Sequence, residues 1–271
     1  MTAISLRPRS VLALTLASLS GLVAFLWPLL VADSARLSDA SMAPLVFAAF
    51  LPMVLAVVLF EIAEGGLDPR AVAMLGVLSA VGAALRPLGA GTAGFETVFF
   101  LLVLAGRVFG PGFGFVLGAT TLFGSALITG GVGPWLPYQM LGAAWVGLGA
   151  GVLPRLRGRW EIVLLGAYGA LSGLAYGLAM NLSFWPYAIG PQTALSFIPG
   201  APIGENLHRF ALFSLTTSLG WDLGRALTNI ALIALAGPAV LATLRRAARR
   251  AAFDQVGVVS KHDQRPVDLH R

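Results

Sequence analysis

Val11-Leu-Ala-Leu-Thr-Leu-Ala-Ser-Leu-Ser-Gly-Leu-Val-Ala-Phe-Leu-Trp-Pro-Leu-Leu-Val-Ala32 carries no charged side chain, and Arg7 and Arg9 stand just before it. A helix of that length reaches across a hydrocarbon core of about 30 Å. A secretory signal has the same basic start, but its apolar region is shorter. The following Ala32-Asp-Ser-Ala35 is also a poor cleavage site, so the segment reads as a first span. Similar runs recur at 43–62, 71–86, 95–109, 112–131, 135–154, 160–181 and 216–244. The expected fold class is all-α, a polytopic helical membrane protein of about eight spans. Segments 71–86 and 95–109 are short for a crossing and need local thinning of the bilayer or the addition of their Gly-rich flanks, or else form one re-entrant pair.

Composition agrees with a bilayer as solvent. Hydrophobic residues make up 57% of the chain and charged ones 11%, with a mean hydropathy of +0.84. Soluble domains carry roughly 25% charged residues. The net charge of +6 does not indicate nucleic acid, because the cations sit in loops and at the carboxyl end rather than on one soluble face. With no cysteine and only His208, His262 and His270, no metal centre and no cofactor is expected. The single lysine, Lys261, lies in the tail, so a Walker A loop is excluded and any ATP-driven step belongs to another chain. Ser172 has no histidine partner at membrane depth, and its small-residue surroundings read as packing. The chain is not expected to be an enzyme.

Placing the amino end in the cytoplasm puts Arg7, Arg9, Arg70, Arg107, Arg155, Arg157, Arg159, Arg245, Arg246, Arg249, Arg250, Lys261, Arg265 and Arg271 on the cytoplasmic side. Arg36, Arg86 and Arg209 fall outside, and Arg225 lies within the last span. The positive-inside rule then fixes a multi-pass topology with both termini cytoplasmic, in the cell (plasma) membrane. The polar segment from Phe253 onward reads as a disordered tail.

Polar residues at membrane depth mark the candidate site. Ser218, Asp222, Arg225 and Asn229 share one face of the last span, where the charged pair either neutralises itself or lines a hydrated ligand cavity. Gln139 lies one turn inside the span that opens at Trp135 and Tyr138, and Asn181 lies where the next span ends outside. Trp135 reads first as an interface anchor. The long outer segment from Ser183 to about Ser214 carries Trp185 and Tyr187. Glu96 is expected to pair with Arg86 or to cap the helix after it. The loop from Arg86 through Gly89 and Gly91 to Gly94 reads as a lid or a plain connector. Gly76, Ala80 and Ala84, at i, i+4 and i+8, form a smooth stripe for packing inside the chain or against another subunit.

Arg86-Pro-Leu-Gly, Gly106-Arg-Val-Phe-Gly-Pro-Gly-Phe-Gly-Phe-Val-Leu-Gly118, Gly133-Pro-Trp-Leu-Pro-Tyr-Gln-Met-Leu141 and Ser218-Leu-Gly-Trp-Asp-Leu-Gly-Arg225, in that order, resemble the substrate-specific (S) components of energy-coupling factor (ECF) transporters. The resemblance covers about residues 71–250 and implies a six-helix core there, with two additional helices in 1–70 and a tail in 251–271. It implies uptake of a vitamin or related micronutrient, with a lean toward cobalamin because the third outer loop is long. The implied partners are a transmembrane coupling subunit and two cytoplasmic ABC-type ATPases. Gly76, Ala80 and Ala84 then map onto the coupling-subunit contact, and the loop Arg86, Gly89, Gly91 onto a lid. The ligand contacts become Trp135, Tyr138, Gln139, Asn181, Trp185, Tyr187, Asp222, Arg225 and Asn229. The alternatives are a stand-alone secondary transporter of a small polar solute and a non-transporting assembly subunit.

Overall fold

A computed structural model describes residues 7–30, 43–64, 67–89, 92–188 and 193–262, with the side chains of 43–47 and 251–262 outside the description. Among these residues the chain is helical and has no strand. The helices are α1 (Pro8–Leu30), α2 (Ala43–Glu64), α3 (Pro69–Gly89), α4 (Phe99–Phe109), α5 (Pro111–Thr129), α6 (Leu136–Val152), α7 (Arg159–Ala188), α8 (Ile203–Thr217) and α9 (Leu219–His262). Five of them, α1, α3, α5, α7 and α9, are long and apolar enough to cross a membrane. On α9 the polarity is inverted relative to a soluble helix. Asp222, Arg225 and Asn229 face inward, while Leu223, Leu227, Ile230 and Leu235 face outward, Leu235 being 83% exposed. Charges inside and leucines outside suit a lipid surround, and the protein is an all-helical membrane protein.

The ends of the helices sort into two layers. At one end Arg7 Nη1 donates to the Glu64 carbonyl, Arg107 Nη1 donates to the Leu153 carbonyl at 2.8 Å, and Arg107 and Arg245 both meet Glu161. At the other end Arg86 donates to Gln139, Thr97 Oγ1 donates to the Leu85 carbonyl, Ser218 Oγ donates to Asn181, and Trp27 stacks near Tyr187. The elements α1 to α7 and α9 run alternately between these ends. The first is called the basic end below and the second the Arg86 end.

Segment 95–109, expected as a short span or as half of a re-entrant pair, is helical over a shorter stretch still. Its helix, α4, has 11 residues. That is about 16 Å of rise, too little to cross alone. It is instead a strut sealed inside the bundle. Leu102, Val103, Leu104 and Ala105 are fully buried, and α5, α6, α7 and α9 all pack on it. Non-helical backbone at membrane depth is tolerated where protein rather than lipid surrounds it, which explains how 92–98 can lead into α4 without a helix. Segment 71–86 is not short: α3 has 21 residues and extends beyond the run on both sides. The two do not form a matched re-entrant pair.

Gly110 separates α4 from α5 with φ 102° and ψ 174°, a conformation open essentially to glycine alone, and Pro111 starts α5 where a missing N–H costs nothing. The turn reverses the chain tightly enough for α4, α5 and α6 to meet backbone to backbone. A Cβ on Gly106 or Gly114 would overlap the Gly147 carbonyl, and one on Gly118 would overlap Ala143.

The expected outer loop from 183 to 214 also differs. α7 runs on to Ala188, and α8 occupies 203–217. Pro202 precedes α8, Glu205 sits in its first turn and pairs with Arg209 at 3.1 Å, and Asn206, Phe213 and Ser214 face inward. α8 and the segment before it cover Trp185, which is fully buried, donates from Nε1 to the Leu195 carbonyl at 2.7 Å, and packs on Phe197 and Phe210. Asn206 holds the hairpin shut by donating to the Ile198 carbonyl at 2.8 Å and accepting the Ile198 N–H at 3.1 Å. Asn206→Ala strips both groups of their partner, at roughly 1–3 kcal/mol. Hydrogen exchange is expected to accelerate across 193–206 while α4 and α5 keep their protection.

α9 is helical through His262, past the expected span end at 244. Residues 263–271 of the expected tail lie outside the described residues.

Candidate functional site

The polar face of α9 meets a glycine seam on α7. Gly169, Gly173 and Gly177 recur every fourth residue, so they form one smooth strip along the helix. A Cβ on Gly177 would overlap Asp222 Oδ1, and one on Gly173 would press on Asn229 and Arg225. The seam therefore makes the room in which large polar side chains lie flat between two helices.

Within that room Arg225, 9% exposed, is the hub. Its Nη1 donates to Asp222 Oδ1 at 2.7 Å and to the Gly173 carbonyl at 3.3 Å, and its Nε donates to Glu96 Oε2. The guanidinium lies 5.4 Å from the Tyr176 ring centroid and 6.0 Å from that of Phe99, so two aromatic faces cover it. One cation thus serves two carboxylates in a site 5% open at Asp222. One turn further along, Asn229 donates to the Gly169 carbonyl at 2.9 Å, while its Oδ1 has no partner among the described residues. Asn181 accepts from Ser218 at 3.1 Å, and its Nδ2 is likewise unpartnered. Buried amide groups left open on one side are unusual, and here two of them flank one ion cluster.

Glu96 therefore pairs with neither expected partner. It reaches Arg225, and the helix after it begins without a side-chain cap. Arg86 turns instead to Gln139, donating from Nη2 to Oε1 at 3.2 Å. The connection that carries Glu96 is seated on α9: a Cβ on Gly94, whose φ is +79°, would overlap the Trp221 carbonyl, and one on Gly224 would overlap the Ala93 carbonyl. Gly89 is closed over by the Phe95 carbonyl. Gly91 lies outside the described residues.

Comparison with family models, curated proteins and solved structures gives no match. Any assignment therefore rests on the arrangement of the residues.

The sequence-predicted ligand residues divide into separate groups. Asp222, Arg225 and Asn229 are together, and Asn181 joins them through Ser218. Gln139 lies at the same end with Arg86. Tyr138 packs edge-on against Phe25 and Phe50, in the seam between the core and the two leading helices. Trp185 is sealed under α8, and Tyr187 lies beside Trp27. Trp135 is half exposed and donates to the Gly131 carbonyl at 3.1 Å, as an interfacial anchor would. Gly76, Ala80 and Ala84 all point away from the bundle, whereas Leu75, Leu78, Gly82 and Ala83 on the opposite face of α3 are buried. Among the described residues nothing lies within 4 Å of a Cβ at Gly76, and Ala80 and Ala84 are exposed beside it.

Glu96 and the seam Gly169-Gly173-Gly177 were missed as site components. The seam is visible in the sequence as an uninterrupted four-residue glycine period. Glu96 carries no such signal.

Proposed function

We propose that this chain is the substrate-binding membrane subunit of an ECF-type transporter, taking up a vitamin or related micronutrient at its Arg86 end while partner subunits hydrolyse ATP. In this reading the Arg86 end faces outward and the basic end the cytoplasm. The chain makes eight passages of the plasma membrane, with α4 as the short internal one and both termini inside.

The observation that carries the proposal is the outward stripe Gly76-Ala80-Ala84. Small residues along a lipid-facing helix give little to lipid and much to a second helix, because they let two backbones approach closely. A coupling subunit is the partner that the resemblance to S components supplies. Ligand would enter beside Glu96, Asp222 and Arg225, exchanging its own polar groups for their ion pairs and using the open sides of Asn181 and Asn229. The 92–96 connection, tied to α9 through Glu96, would act as the latch. Gln139 and Arg86 border the same end, and cobalamin remains the ligand to try first.

A Cβ at position 76 meets open space. Gly76→Leu is therefore expected to leave the melting temperature of the isolated chain within about 2 °C, as surface changes do. Co-purification of the coupling subunit and ATPases with the wild-type chain, lost with Gly76→Leu, would support the proposal. Uptake by the chain alone in proteoliposomes would select a secondary transporter instead.

A further inference from the structure

At the basic end a cleft of about 380 Å³ opens between α4, the 153–158 connection, the start of α7 and α9, lined by Arg107, Arg155, Arg157, Gly158, Glu161 and Arg245 among others. Four arginines and one carboxylate thus share the lining of the cleft. Glu161 Oε1 accepts from Arg107 Nε at 2.9 Å and from Arg245 Nη2 at 2.6 Å. Arg107 and Glu161 are nearly sealed, with side chains 5% and 7% exposed. Arg107 Nη1 is taken by the Leu153 carbonyl, Arg245 is partly exposed, and the exposed Arg155 and Arg157 complete the lining.

The charge balance inside is therefore strongly positive, since one carboxylate offsets one of four cations. Gathering like charges around a concavity is unfavourable by itself, and an anion relieves it. We propose that this cleft binds a phosphate group, carried by an anionic lipid headgroup or free in solution. Arginine suits that chemistry because its planar fork matches phosphate oxygens two at a time. The start of α7 adds the positive end of a helix and the Gly158 bend to the same cleft. Trp160, half exposed beside it with Arg159 stacked 5.3 Å from its ring centroid, marks the level of lipid headgroups. Basic pockets between membrane helices hold phosphate headgroups by this combination of depth and charge.

Arg107, Glu161 and Arg245 build the fixed wall, whereas Arg155 and Arg157 sit on an exposed connection and make no ion pair among the described residues. They can be changed without loosening the bundle. The site is independent of what the Arg86 end binds, so it stands or falls separately from the transport reading.

The test uses the full chain purified in neutral detergent. Retention of phosphatidylglycerol against phosphatidylcholine is read by native mass spectrometry, and the response of the melting temperature to inorganic phosphate by tryptophan fluorescence. Wild-type protein is expected to retain phosphatidylglycerol preferentially. Arg155→Gln with Arg157→Gln is expected to lower that affinity roughly tenfold or more while melting as wild type does in phosphatidylcholine. Arg157→Glu alone is expected to do the same. Arg249→Gln with Arg250→Gln, which removes two exposed arginines outside the cleft, is expected to retain the lipid. Stabilisation by inorganic phosphate without lipid identifies free phosphate as the source, and its absence alongside lipid retention identifies the headgroup. No response to either probe overturns the proposal, as does equal loss in the 249/250 control or undiminished binding in the 155/157 variants.

Discussion

Arg225→Ala is expected to unfold the Arg86 end of the bundle at a temperature on the order of 10 °C below wild type. The reason is an imbalance of charge rather than a lost contact. With the guanidinium gone, Asp222 and Glu96 face each other across a site from which water is largely excluded, and the Gly173 carbonyl loses its donor. Removing one partner of a buried ion pair costs roughly 3–5 kcal/mol. For a chain of this size that corresponds to the stated shift. Asp222→Asn is expected to cost less, roughly 1.5–3 kcal/mol, because Arg225 keeps Glu96 and the amide still accepts a hydrogen bond. Melting followed by tryptophan fluorescence ranks the two. The combined variant Glu96→Gln, Asp222→Asn, Arg225→Met carries no charge and is expected to recover most of the loss, as neutral replacements of buried ion clusters commonly do. If Arg225→Ala melts with wild type, the cluster is solvated and the description of Arg225 as its hub is wrong. The neutral triple variant also separates structure from function: on the transport proposal it folds but no longer binds ligand at the Arg86 end.

That cluster also shows where sequence reading stops. Asp222 and Arg225 lie three apart on a helix, so their pairing is written in local geometry and was legible. Glu96 lies far away in the chain, on a connection with no periodicity, and what brings it to Arg225 is the seating of Gly94 against Trp221 and of Gly224 against Ala93. Contacts of that kind depend on packing that no local pattern encodes. The membrane class and the helices α1, α5, α7 and α9 were legible because long apolar runs have no other stable environment, whereas α3 extends beyond the short run that marked it. The basic end was legible in part, since Arg107, Arg155, Arg157 and Arg245, which the charge rule grouped, do lie together there. The shortness of 95–109 was legible, but its enclosure by α5, α6, α7 and α9 was not, because a buried strut and a crossing helix are equally apolar. α8 was missed for a different reason. Pro199, Pro202 and several polar residues suggested loop, and its inward positions Asn206 and Ser214 are themselves polar, which blurs the helical period.

The largest effect expected anywhere in the chain belongs to Gly147. It stands on α6 where α4 and α5 both arrive: its Cβ would overlap the Gly114 carbonyl, while Cβ atoms on Gly106 and Gly114 would overlap the Gly147 carbonyl. The opposing atoms are backbone, so no rotamer change can make room. The helices must move apart, and α4 would lose its fit against α6 at the same time as α5. Overpacking a core usually costs about 1–3 kcal/mol, and more where the neighbour cannot yield. Gly147→Ala is therefore expected to cost at least the upper part of that range, and Gly147→Val to abolish recovery of folded protein. Gly166→Ala is the matched control, because its Cβ meets nothing within 4 Å. That change is expected to be neutral or slightly stabilising, since alanine is the better helix former by about 1 kcal/mol. The measurement is the yield of monodisperse protein on size exclusion in detergent, followed by melting of whatever is recovered. Equal behaviour of the 147 and 166 variants would mean that α4, α5 and α6 do not meet through their backbones. The three-helix centre would then be looser than described, and with it the platform that holds Phe99 and the start of α4 beneath Arg225.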